Sequence, residues 1–68
     1  MKHIRLRLKE LLAEKDMTQK ELSKMTGIRE MQISFLSRNV GTGINKEHLE
    51  KIAEALQIND ISELLEWK

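Results

Sequence analysis

The chain has 68 residues, no cysteine and no proline, and 12 basic against 11 acidic residues for a formal charge of +1. That length allows a single domain, 1–68, which buries only about 60% of the surface its unfolded chain exposes, so the core must be economical or shared with a partner. The missing cysteine excludes a disulfide scaffold or thiolate metal site, and the balanced charge excludes a uniformly basic nucleic-acid coat.

No apolar run is long enough to cross a bilayer. The N-terminal MKHIRLRLKE is basic but lacks an uninterrupted apolar core, so it does not read as a secretion signal, and a cytoplasmic location is expected. Lysine and arginine dominate residues 2 to 29, and acids dominate the last third. Abundant Leu, Ile, Glu and Lys favour helices.

In chain order, the first pattern is a strict alternation over His3-Ile4-Arg5-Leu6-Arg7-Leu8. It predicts a short strand that pairs with Glu66-Trp67-Lys68 or with another copy. A first helix follows over about Arg7 to Lys15, with Leu8, Leu11 and Leu12 on one face and Asp16 in a non-helical conformation. Thr18 and Glu21 have the spacing of a capping box, with Met17 as a staple onto Leu22. The second helix stops at Gly27, which adopts a left-handed conformation at little cost. A third runs from about Arg29 to Arg38, with Ile28, Ile33 and Leu36 inward. NVGTGI breaks the period as a loop. Asn45 caps the fourth helix, with Leu49, Ile52, Ala53 and Leu56 inward. Asp60 and Glu63 predict a fifth, short helix with Ile61, Leu64 and Leu65 inward. Trp67 is expected over the lower rim of the core, with a dimer contact as the alternative. The reading is an all-α fold of five helices, with a short N-terminal strand as an option.

The stretch from Gln19 to Leu36 resembles the helix-turn-helix of phage-repressor and Cro-like (XRE-type) regulators. Gln19 matches the start of the first motif helix, Leu22 its core leucine and Ser23 the small residue where the helices cross. Gly27 matches the turn glycine, Ile28 its apolar follower, and Ile33 and Leu36 the anchors of the second helix. The flanking LKELLAEKDMTQKEL and LEKIAEAL…ELLEW are similar to a compact subgroup of the same family. The resemblance implies a sequence-specific DNA-binding regulator, a repressor, whose partner is double-stranded DNA and which acts as a homodimer.

It also implies which residues meet DNA. The second motif helix enters the major groove, which gives Glu30, Met31, Gln32, Ser34, Phe35 and Arg38 the base-reading positions. Thr18, Gln19 and Lys20 stand at a positive helix end and would contact phosphate, with Asn39, Thr42 and Lys46 flanking the other side. The outward Met31 and Phe35 are unusual there, because base edges are usually read by polar groups. They would touch thymine methyl groups, or form a patch for a regulatory protein partner or antirepressor role, or, in the case of Phe35, fold back over the core rim.

Other chemistry finds no support in the sequence. His3 and His48 lack carboxylates at metal-site spacing, and Ser23, Ser34, Ser37 and Ser62 lack an activating His/Asp arrangement. GTG follows no strand and is not a phosphate loop. No cofactor, metal, membrane or catalytic role is expected.

Overall fold

The computed structural model describes residues 2–41 and 43–68. It contains strand β1 (Ile4–Leu6), helices α1 (Leu8–Glu14), α2 (Gln19–Thr26), α3 (Glu30–Ser37) and α4 (Lys46–Ala55), a 3₁₀ turn at Ile61–Glu63, and strand β2 (Leu65–Trp67). The expected fifth helix is not formed. Asp60 has extended backbone and its side chain accepts from the Ser62 N–H, so a capping turn forms. After one 3₁₀ turn, Leu65–Trp67 are drawn into the sheet instead of continuing helically. The fold is therefore mainly helical with a small two-stranded sheet.

The alternating N-terminal pattern does form a strand, and its partner lies within the chain. β1 and β2 run antiparallel, with Ile4 opposite Trp67, Arg5 opposite Glu66 and Leu6 opposite Leu65. His3 and Lys68 exchange both backbone hydrogen bonds, and the Arg7 N–H donates to the Leu64 carbonyl at 2.7 Å. Antiparallel pairs alternate between bonded and non-bonded positions. Leu6 therefore turns its backbone polar groups away from β2, toward Asn39. The Leu6 N–H donates to Asn39 Oδ1 at 2.7 Å, and Asn39 Nδ2 donates to the Leu6 carbonyl at 3.1 Å. On the sheet's other face the Arg5–Glu66 pair, at 3.4 Å and exposed, contributes at most about 1 kcal/mol.

Core and caps follow the periodicity. Leu8, Leu11 and Leu12 from α1, Leu22 from α2, Ile28, Ile33 and Leu36 around α3, Ile52 and Leu56 around α4, and Leu6 and Leu64 form one buried cluster. Met17, Leu49 and Leu65 pack against it half-buried. Truncating a fully buried member such as Leu22 or Ile33 to Ala costs roughly 2–5 kcal/mol. Three inward expectations fail: Ala55 and not Ala53 packs on the core, Ile61 is exposed, and Trp67 is 62% exposed and does not cover the core rim. Leu64, at the end of the single 3₁₀ turn, is buried in the core.

Three helices end in the same way. Asp16, Asn39 and Gln57 sit at φ between 54° and 56° in left-handed conformation. After α1, α3 and α4 the next N–H reaches back over the turn, from Met17 to the Leu12 carbonyl, Val40 to Phe35 and Ile58 to Ala53. These are Schellman closures, usually completed by glycine.

Candidate nucleic-acid interface

The glycine between α2 and α3 marks a turn that is held by side chains as well as by its backbone. Gly27 has φ 77° and its N–H donates to the Ser23 carbonyl. An added Cβ would meet no atom within 4 Å, so the demand for glycine comes from backbone conformation and not from crowding. The next residue, Ile28, has both backbone groups satisfied from α2. Ser23 Oγ donates to its carbonyl, and its N–H donates to Thr26 Oγ1 at 3.2 Å. Thr26 Oγ1 in turn donates to the Leu22 carbonyl at 2.8 Å. Ser23 is thus a fastener as well as a small residue at a crossing. The sequence reading missed Thr26, although a Thr just before a C-capping Gly is a signal for such local bonding.

α2 begins as the sequence predicts. Thr18 Oγ1 accepts from the Glu21 N–H at 3.0 Å, and Glu21 Oε1 accepts from the Thr18 N–H at 3.1 Å. Gln19 then reaches across the motif, where its Nε2 donates to Ser37 Oγ at 3.1 Å. Ser37 is buried and donates to the Ser34 carbonyl at 2.9 Å. This relay brings the first turn of α2 beside the last turn of α3. The sequence assigns Ser37 no structural role, because a small polar residue on a helix carries no periodic signal.

α3 is apolar on two sides. Ile33 and Leu36 are buried, whereas Met31 is 69% exposed and Phe35 38%. Phe35 is not among the core cluster or the half-buried side chains packed against it. The Arg38 guanidinium carbon stands 5.5 Å from the Phe35 ring centroid, and Arg38 Nε donates to the Ser34 carbonyl at 3.4 Å. Glu30 and Arg38 are exposed at opposite ends of the helix, with Gln32 and Ser34 half-buried between them. All six positions named for base reading therefore belong to α3 or its C-cap.

The positions named for phosphate divide. Thr18 and Lys20 are exposed at the start of α2, with half-buried Gln19 between them. Lys46 is exposed at the start of α4, beyond the loop. Asn39 is half-buried, with one amide donor and one acceptor committed to Leu6. Thr42 lies outside the described residues.

The model of the Cro/C1-type HTH DNA-binding domain matches residues 7–68, from the cap of α1 through β2 and so across the whole α2–α3 motif. The chain belongs to that family. A relative from Bacillus subtilis (strain 168), the SPbeta prophage-derived uncharacterized HTH-type transcriptional regulator YopS, is 39% identical over 59 residues. The match covers 87% of this chain and 78% of the relative. No solved structure matches the chain. The only segment of the Cro/C1-type domain here left outside the family match is the N-terminal one that includes β1, the strand that Asn39 and β2 hold in place. Among the described residues, no helix is long and apolar enough to cross a membrane, and no cluster of three His, Cys, Asp or Glu side chains could hold a metal ion.

Proposed function

We propose that this Cro/C1-type domain is a sequence-specific transcriptional repressor that places α3 in the major groove of double-stranded DNA. The observation that supports the reading is the Gln19–Ser37 bond, because it holds the positive N-terminal end of α2 against the last turn of α3. A helix of α3's width fits the major groove, and the flanking phosphates then fall to the α2 terminus. Free N–H groups there favour anions. Thr18 still has its hydroxyl proton to give, because its oxygen acts as acceptor in the cap. Lys20 adds a point charge. Lys46 serves the phosphates on the far side. Asn39 is left out of this set, since its amide holds Leu6. Glu30, Met31, Gln32, Ser34, Phe35 and Arg38 face the bases. Repression follows from occupancy, which denies the same groove and phosphates to other proteins in the cytoplasm.

Binding by a symmetric pair fits the small size of one reading surface. Half-sites would lie about 34 Å apart. Ile4 and Trp67, opposite each other in the sheet and 68% and 62% exposed, offer an apolar contact for the second copy.

The test is a shift assay against genomic fragments over a range of salt, with co-purifying proteins examined in parallel. Salt-dependent binding that persists on a subset of fragments supports the reading. A second reading rests on the exposure of Met31, which suits a protein partner as well as a base edge. A stoichiometric protein partner lost on Phe35→Ala, with no fragment preferred, would select it instead.

A further inference from the structure

Phe35 and Arg38 form one unit on the outward face of α3. The guanidinium lies 5.5 Å from the ring centroid, within the range of cation–π attraction. Its Nε is turned back to the Ser34 carbonyl, and the two terminal nitrogens have no partner among the described residues. Those nitrogens form the fork that takes the O6 and N7 atoms of guanine. Arginine ordinarily loses much rotamer freedom when it binds, and stacking on Phe35 restrains it beforehand.

The ring needs a matching base feature. In the major groove the one apolar group on a base edge is the C5-methyl of thymine, and 5-methylcytosine carries the same group on the same ring atom. Neighbouring base pairs, roughly 3.4 Å apart along the axis, lie within reach of both ends of a pair separated by 5.5 Å. Resting on the reading of α3 as the groove helix, we propose that Phe35 and Arg38 together read a C5-methylated pyrimidine adjacent to a guanine. Met31, one turn before Phe35, extends the methyl contact. The domain then recognises a methyl group and not a particular pyrimidine, so thymine and 5-methylcytosine are equivalent in that step and unmethylated cytosine is rejected.

The experiment selects the preferred duplex from a random library with the full chain. The thymine beside each guanine is then replaced singly by uracil, and separately by a cytosine or 5-methylcytosine paired with guanine. Affinities are read by fluorescence anisotropy at one salt concentration. Uracil keeps every hydrogen-bonding group of thymine and lacks only the methyl. The expected loss with uracil is about fourfold for each methyl contact, from the transfer value of one buried methylene-sized group. 5-Methylcytosine should bind more tightly than cytosine by a similar factor. Phe35→Ala should bind the thymine and uracil duplexes equally. Phe35→Leu keeps apolar bulk should the alanine variant fail to fold, and should retain part of the discrimination while losing the guanine preference that a restrained Arg38 confers. Equal binding of thymine and uracil duplexes by the unmodified protein overturns the inference and leaves the groove-helix reading standing. Failure to enrich any duplex, with no salt-dependent binding to DNA, overturns both.

Discussion

Asn39 grips Leu6 by both of its backbone polar groups, at 2.7 and 3.1 Å, across 33 residues of sequence. The asparagine occupies the place of a third strand, covering the open edge of β1 beside it. It can do so because its own backbone, at φ 56°, turns left-handed at the end of α3. Asn39→Ala should lower stability by roughly 1–3 kcal/mol, through two lost hydrogen bonds and a strained left-handed alanine. Asn39→Gly relieves the second effect and isolates the first. Thermal melting measures both. Affinity for non-specific DNA, compared at a temperature where each variant is folded, should be unchanged; a loss would return Asn39 to the phosphate contacts.

Two left-handed positions should respond in opposite directions. Gly27→Val should destabilise by more than about 1 kcal/mol, since a β-branched residue fits left-handed backbone poorly. As a Cβ there meets no atom within 4 Å, Gly27→Asn should lose less than Gly27→Val. Gln57 is the reverse case, a long side chain at φ 56°. Gln57→Gly should stabilise by up to about 1 kcal/mol. Denaturant melts of the three variants would test the ordering, and a more stable Gly27→Val would refute the turn assignment.

Lys20→Ala should weaken binding to all DNA sequences alike and reduce the slope of log K against log salt by about one unit. Gln19→Ala should weaken all sequences too, but it also removes the bond to Ser37. Its melting temperature should therefore fall, whereas that of Lys20→Ala should not. Paired salt titrations and melts separate the two roles.

Ile4→Lys combined with Trp67→Lys should abolish cooperative occupation of a two-half-site operator while leaving a single half-site bound. Both side chains are exposed, so the helical core should survive, although two lysines directly opposite each other weaken the sheet and a melt must accompany the assay. Sedimentation velocity with and without DNA reads the assembly. Unchanged cooperativity would place the contact elsewhere.

Hydrogen bonds from Ser62, its backbone N–H first and its side chain second, hold the Asp60 carboxyl below its ordinary value of 3.8. Because the folded value is the lower one, the stabilisation is present above the unfolded value and is lost as pH falls through the folded one. Asp60→Ala should thus narrow the stability difference between neutral and strongly acid pH. The group is fully exposed, so the change is small, and chemical denaturation at several pH values is the suitable measurement.

Much of this was legible in the residues themselves. The T-x-x-E spacing gave the cap of α2, the lone glycine gave the turn, and apolar spacing gave the faces of α1, α3 and α4, because each of these is a local rule. Alternation in β1 gave a strand and two candidate partners, the end of the chain or another copy, and left the choice open, since pairing depends on where the far end of the chain arrives. The predicted fifth helix failed for the same reason: a local D-x-x-E signal competed with a distant strand, and the strand prevailed. The Gln19–Ser37 and Arg38–Phe35 contacts were invisible as pairs. The first depends on how α2 crosses α3, whereas the second follows the i,i+3 spacing of a helix end and was overlooked because the two residues were read separately.

The pairing of residue 3 with residue 68 has a consequence for the order of assembly. The contact between α2 and α3 spans few residues and closes a short loop, so it can form early. The sheet closes nearly the entire chain, and that closure carries an entropic penalty that grows with loop length. It is therefore expected to form last on folding and open first on unfolding. Pulling the two ends apart would unzip the sheet from His3 and Lys68 inward and next meet Asn39, with the α2–α3 motif still intact behind it. Joining the ends by a short peptide would prepay the closure, and because the sheet forms late the gain should show mainly as slower unfolding.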